Sequence, residues 1–133
     1  MAPQAYLSLV LHAHLPYVRH PDHDNFLEER WLFEAITETY LPLLERFERL
    51  ANDRVPFRVT MSFTPTLLAM LADPLLQSRY LRHLGKLIEL CEKEIQRTRW
   101  LPPFHRLALF YRHRLTTARR MYVDAYQRDL IRP

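Results

Sequence analysis

The stretch Ala5–His14, AYLSLVLHAH, decides the fold predicted for this chain. Residues Ala5–His12 have the length and apolar content of a buried β-strand, whose alternate side chains face opposite sides. If the strand geometry continues for two more residues, His14 lies on the same side as His12. Two histidines at the end of an apolar strand are therefore the first candidate for a functional site.

Further helical and extended segments follow this stretch. Residues 15–28 are predicted to form a loop, because they contain two prolines and no apolar period. Helical spacing of apolar residues predicts a helix over about 29–51, with a kink or break near Thr39–Leu41 because Pro42 removes a backbone donor. Alternation predicts a second strand over Val55–Phe63.

Two N-cap signals begin the remaining helices. Thr64 and Asp73 are each followed by proline, which fits the first position of a helix. A helical segment over about 74–131 is predicted, interrupted at Leu101–Pro103. The side chains of the last helix that are predicted to face inward are Phe104, Leu107, Ala108, Tyr111, Leu115, Ala118, Tyr122 and Tyr126.

The order of these elements favours an α/β fold with two parallel strands and several long helices, since a crossover helix joins the strands. Ligands of such folds gather beyond the carboxyl ends of the strands, where His12, His14 and Thr64 are expected. Two parallel strands need further strands and cover on both faces. Residues 1–133 are therefore expected to be the N-terminal part of a larger fold.

Composition excludes several classes of site. The single glycine, Gly85, stands beside ten prolines, and a dinucleotide fingerprint or phosphate-binding loop needs several glycines. The chain has no apolar run of about 18 residues and no signal-peptide pattern. The lone Cys91 indicates a reduced, cytoplasmic protein in which this thiol is a small core residue.

Charge is distributed unevenly along the chain. Residues 1–96 contain ten Lys/Arg and thirteen Asp/Glu, whereas residues 97–133 contain nine arginines and two aspartates. Such a basic region suits either nucleic acid or the acidic remainder of a larger protein.

Three interpretations of His12 and His14 remain open on residue type alone. They are metal ligands, which would need further ligands from later strands; a polar pair that closes the strand; or hydrogen-bonding groups for a hydroxyl-rich substrate.

Trp31 is either a core residue or a platform for a sugar ring. Glu28 and Glu29 could act as acid/base groups, but the simpler interpretation is that they place negative charge at a helix N-terminus. The segment His20–Asp24 is expected to be a solvated loop.

The segments LSLVLHAHLPYVRH, FLEERWLFEAITETYLPLLERFERL and RVTMSFTPTLLAMLADPLL resemble the N-terminus of family 57 glycoside hydrolases, especially its 1,4-α-glucan branching enzymes. The resemblance implies the N-terminal part of a (β/α)₇ barrel, incomplete in these residues. It also implies a retaining transfer, in which a carboxylate attacks an α-1,4-glucan and a glucan 6-hydroxyl accepts the glycosyl group.

The resemblance assigns roles to three residues: His12 and His14 would bind the sugar under attack, and Trp31 would form a wall of the cleft. It implies no metal or other cofactor, and its partners would be α-glucan and the remainder of the catalytic domain rather than nucleic acid or membrane. The family's nucleophile and acid/base lie on later strands, so residues 1–133 alone are expected to be inactive. A family 57 α-amylase or 4-α-glucanotransferase, a metal-dependent barrel hydrolase and a helical nucleic-acid-binding module are the alternatives.

Overall fold

The computed structural model describes residue 5 and residues 7–132 of the chain. Two short strands alternate with helices in the order predicted. The elements are β1 (Val10–Ala13), α1 (Glu29–Ala35), a π-helical turn (Ile36–Tyr40), α2 (Leu41–Asn52), β2 (Thr60–Phe63), α3 (Pro65–Ala72), α4 (Pro74–Arg97), α5 (Pro102–Arg120) and a second π-helical turn (Met121–Ala125).

The two strands pair in parallel, as predicted, and His12 lies beside Ser62. Both strands are shorter than the predicted Ala5–His12 and Val55–Phe63. The pairing begins where Thr60 N donates to the carbonyl of Leu9 at 3.2 Å. Within the described residues the sheet has no further strand to pair with the earlier part of either segment. The apolar content of these segments was therefore a correct signal for strands but gave the wrong length.

The helix interrupted by Pro42 continues rather than breaks. Its irregularity is the π-helical turn, in which the N–H of Leu41 bonds to the carbonyl of Ile36. Backbone angles remain helical at Leu41, and Pro42, which has no N–H to donate to the preceding turn, directly follows this widened turn. The predicted irregularity is confirmed, and its form is a widened turn.

The N-cap predictions for α3 and α4 are confirmed. Thr64 accepts a hydrogen bond from the N–H of Leu67 at 3.4 Å. One carboxylate oxygen of Asp73 accepts from the N–H groups of Leu75 and Leu76 at 2.8 and 3.0 Å. These caps fix where both helices start, because the first N–H groups of a helix have no partner within it.

The core lies where α1, α3, the start of α4 and the end of α5 meet. Tyr80 is fully buried at its centre; the edge of its ring contacts Tyr122, with the ring centres 4.8 Å apart. Its hydroxyl and that of Thr37 form a 2.9 Å hydrogen bond, so the buried phenol has a partner. The aliphatic side chains buried around them are Leu32, Leu41, Leu67, Met70, Leu76 and Leu84.

The first half of α5 does not face inward, contrary to prediction. Phe104, Leu107 and Tyr111 are exposed, and the buried residues of this helix are Leu115 and Ala118. The cause is geometric: α4 and α5 form a long antiparallel pair whose turn, near Leu101, extends away from the core. Apolar side chains near that turn can contact only the other helix of the pair.

None of the helices described in residues 7–132 combines the length and the apolar character that crossing a membrane requires.

Candidate functional site

The carboxyl ends of the two strands bring His12 beside Ser62. Nδ1 of His12 lies 2.7 Å from Oγ of Ser62, and both side chains are exposed. They share a register position in the sheet. Ala13, the next residue, is buried against the helices. Alternation along the strand therefore turns His12 toward the side of the sheet that the described helices leave open.

His14 lies two residues beyond His12 in the sequence, and Trp31 lies on α1, the next helix along the chain. His14 follows the last residue of β1 and is exposed, and Trp31 lies in the first turn of α1 with half of its surface exposed. The exposure removes the interpretation of Trp31 as a fully buried core residue. No hydrogen bond or aromatic contact joins His12, His14 and Trp31 within the described part of the chain. Their role as one binding site stays a prediction.

Thr64 lies at the same end of the sheet. Its N–H donates to the carbonyl of Ala13 at 3.2 Å, and its hydroxyl caps α3. Thr64 therefore fixes the position of the strand end rather than offering a free hydroxyl. The predicted loop packs there as well, because Val18 is buried and its N–H lies 3.3 Å from Sδ of Met70.

A buried ion pair holds the start of α1 against α4. Oε1 of Glu29 lies 2.5 Å from Nη1 of Arg79, and the side chains are 2% and 4% exposed. Glu29 is therefore neither a free acid/base group nor simply a charge near a helix terminus, and the sequence-based interpretation is corrected. The two residues are 50 positions apart, and their burial was missed because no local pattern links them.

The predicted solvated loop is exposed over Pro21–Asn25, but α4 anchors its backbone. Arg79 donates to the carbonyl of His20 and Arg82 to that of Asp24, both at 2.8 Å. The ring of Phe26 stacks on His20 with ring centres 3.5 Å apart.

Across the part of the chain that the structure describes, no three His, Cys, Asp or Glu side chains are grouped to hold a metal ion.

The basic C-terminal region is mostly solvent-exposed. Arg106, Arg119 and Arg120 are exposed on α5, and Arg112 pairs with Glu92 of α4 at 2.5 Å. These arginines therefore lie on the outer face of α5. Cys91 is partly buried beside the core; burial, followed by nearby Glu92, raises the pKa of its thiol and keeps it protonated.

Comparison with solved structures gives the same arrangement in larger enzymes. An α-amylase, AmyC, from Thermotoga maritima superposes with a TM-score of 0.85 at 49% identity, covering 92% of this chain and 23% of that one. A GH57-type branching enzyme from Pyrococcus horikoshii superposes with a TM-score of 0.84 at 30% identity, covering 94% and 23%. Both fits include nearly all of the present chain.

Among curated proteins, a 1,4-alpha-glucan branching enzyme of Thermococcus kodakarensis is 39% identical over 93 residues, which are 70% of this chain and 14% of that protein. The chain thus spans about a seventh of this relative and about a quarter of the two solved enzymes. The sequence model of Glycosyl hydrolase family 57 matches residues 8–127. On this match, together with the parallel strands and the histidine pair at their carboxyl end, the chain belongs to glycosyl hydrolase family 57.

Proposed function

We propose that this chain is the N-terminal portion of the catalytic barrel of an α-glucan-active enzyme, most closely a 1,4-α-glucan branching enzyme of glycogen-type polymer synthesis. The observation that carries the proposal is the position of His12 at the carboxyl end of β1, on the open side of a parallel pair. Curated relatives with branching-enzyme names support the choice of reaction. A cytoplasmic location follows from such a role.

In this proposal His12, His14 and Trp31 bind the glucan. Imidazole nitrogens donate and accept hydrogen bonds, which suits the hydroxyl groups of a glucose ring. The half-exposed indole of Trp31 offers an apolar face for the C–H side of a sugar. Hydrogen bonds that strengthen as the ring distorts toward the transition state lower the barrier rather than only improving binding.

The reaction itself requires carboxylates that we do not assign to residues 1–133. A retaining transfer needs a nucleophile and an acid/base about 5–5.5 Å apart. Glu29 is neutralised by Arg79 and is buried, with 2% of its side chain exposed. We therefore propose that both groups belong to polypeptide corresponding to the remaining three quarters of the solved relatives. Purified residues 1–133 should show no turnover of amylose, and reproducible turnover would contradict this assignment.

An α-amylase is the second candidate, because AmyC is more similar in sequence to this chain than the solved branching enzyme is. The two candidates differ in the acceptor, which is a glucan 6-hydroxyl in one case and water in the other.

The decisive experiment uses the polypeptide encoded by the whole reading frame that contains these residues. It is incubated with amylose, and the products are analysed by debranching and by reducing-end measurement. New α-1,6 linkages without a proportional rise in reducing ends support branching. A rise in reducing ends without new linkages supports the amylase. New α-1,4 chains of redistributed length identify a 4-α-glucanotransferase, and an inert protein contradicts every glucan proposal.

Two remoter alternatives have simple tests. A metal-dependent hydrolase would contain stoichiometric metal after purification without chelator. A nucleic-acid-binding module would shift duplex DNA in a salt-dependent manner, because phosphate contacts release counterions. Neither result is expected of a glucan enzyme.

A further inference from the structure

A cavity of about 250 Å³ lies between the loop before α1, α1 itself and the middle of α4. It lies apart from His12, His14 and Trp31, none of which lines it. Arg79, Arg82, His83 and Lys86 enter it from α4 at positions i, i+3, i+4 and i+7, which fall on one side of a helix. Arg30 faces it from α1.

The charge of this cavity is positive. Four cationic side chains line it, and the carboxylates in its wall are Glu29 and Asp24. The cationic residues are Arg30, Arg79, Arg82 and Lys86. Glu29 is already engaged by Arg79. Arg30 and Lys86 have no carboxylate within 4.0 Å among residues 7–132.

Arg79 adds little net charge to the cavity, because the carboxylates of Glu29 and Asp24 both lie beside its guanidinium. Its Nη1 contacts Glu29 and the carbonyl of His20, and its Nη2 is 3.8 Å from the exposed carboxylate of Asp24. Its buried Nε has no acceptor in the described part of the chain.

The remaining wall suits a small ligand with one apolar side. Phe26 and Phe33 line the cavity, and the ring of Phe33 lies 5.3 Å from that of His83. Burial, Arg30 and Lys86 lower the pKa of His83, against the opposing effect of Glu34, so the imidazole is neutral at pH 7 and can donate one hydrogen bond. A volume of about 250 Å³ lies just below the range of about 300–1,000 Å³ that is typical of drug-sized ligands, so it suits a smaller ligand.

We propose that this cavity binds a phosphate group, either as inorganic phosphate or as the monoester of a small sugar, between Arg30, Arg82 and Lys86. The three cationic head groups can form charge-assisted hydrogen bonds with a phosphate dianion, which are stronger than neutral ones. Binding would join α1 to α4, because Arg30 lies on the first helix and Arg82 and Lys86 lie on the second. The site goes beyond the proposed glucan chemistry, because it shares no residue with the histidine site.

The test is calorimetric titration of the polypeptide encoded by the whole reading frame, in chloride buffer without phosphate or sulfate. The probes are inorganic phosphate and glucose 6-phosphate. We expect Arg30→Gln/Lys86→Gln to weaken binding by about tenfold or more, through the loss of two charge-assisted contacts. The matched control is Lys93→Gln/Arg106→Gln, which removes one exposed lysine and one exposed arginine outside the cavity.

Charge-conserving Arg30→Lys/Lys86→Arg should retain most of the affinity, which separates charge from a folding defect in the glutamine variant. Preference for inorganic phosphate or for the sugar monoester identifies the source of the phosphate group, and either preference supports the site. Absence of binding to the unmodified protein, or equal weakening in the control variant, would overturn the proposal. The glucan assay is independent of this titration, so the two proposals fail separately.

Discussion

Glu29 and Arg79 form a buried ion pair that joins two helices across 50 residues of sequence. The oxygen and nitrogen are 2.5 Å apart, and both side chains are almost completely removed from solvent. Breaking a buried pair leaves one charge without compensation, which costs far more than an exposed pair contributes. This contact fixes the start of α1, and with it the position of Trp31 two residues later.

The first prediction concerns the charge of that pair. Glu29→Gln keeps the size of the side chain and removes its charge, so we expect the free energy of unfolding to fall by about 3 kcal/mol. Urea denaturation followed by circular dichroism measures this. Glu94→Gln, at the exposed pair with Arg97, is the control and should change stability little. The double variant Glu29→Gln/Arg79→Met should lose less than the sum of the two single changes; strict additivity would contradict the coupling.

A second prediction concerns the cap of α4. Asp73 bonds two helix N–H groups and also lies 2.6 Å from Nε of Arg19. Asp73→Ala should lower stability by about 1–2 kcal/mol through the lost cap alone. Asp73→Asn keeps a capping oxygen and should lose less. The thermal midpoints of both variants check this order, and equal midpoints would show that the ion pair with Arg19 is the larger contribution.

A third prediction follows from the buried phenols. Burial, with smaller and opposed effects from Arg128 and Asp129, raises the pKa of Tyr122 from 10.0 to about 12. The folded state therefore holds the proton more tightly than the unfolded state. This contribution is fully present below about pH 10 and is lost as pH rises through 12, by about 2–3 kcal/mol in total.

Tyr122→Phe should accordingly weaken the loss of stability between pH 10 and pH 12, as followed by urea denaturation at several alkaline pH values. Tyr111→Phe, at an exposed phenol, is the matched control and should follow the unmodified protein. An unchanged alkaline transition in the Tyr122 variant would contradict the assignment.

A fourth prediction tests the glucan-binding residues in the polypeptide encoded by the whole reading frame. His14→Ala should reduce kcat/KM on amylose by about tenfold to a hundredfold through a lost hydrogen bond. Trp31→Ala should chiefly raise KM. His113→Ala and Trp100→Ala change an exposed histidine and an exposed tryptophan elsewhere and serve as controls. Equal effects in test and control variants would remove these residues from the binding site.

Local signals in the sequence predicted the starts of the helices well. The sequence was sufficient to predict the N-caps at Thr64 and Asp73 and the irregularity before Pro42, because each depends on a few neighbouring residues. The parallel pairing of the strands could also be predicted, because it follows from the order strand, helix, strand along the chain.

Features that depend on contacts between residues far apart in the sequence could not be predicted. Phe104 and Leu107 have helical apolar spacing, yet they are exposed, because spacing cannot tell whether a third element covers a helix. The ion pair of Glu29 with Arg79 was missed for a similar reason. At the candidate site, the sequence placed His12 at a strand end correctly but could not identify Ser62 as its neighbour.

The hydrogen bond between His12 and Ser62 determines which ring nitrogen of the imidazole a bound molecule can contact. Because Nδ1 is engaged by the serine hydroxyl, Nε2 is the ring nitrogen left to face an incoming molecule. If the hydroxyl donates to Nδ1, Nε2 carries the hydrogen and offers a donor; if Nδ1 donates instead, Nε2 offers a lone pair. The orientation of the Ser62 hydroxyl is thus coupled to the tautomer of a neutral His12 ring, and reversing what Nε2 presents requires both a rotation of that hydroxyl and a transfer of the ring proton between the two nitrogens.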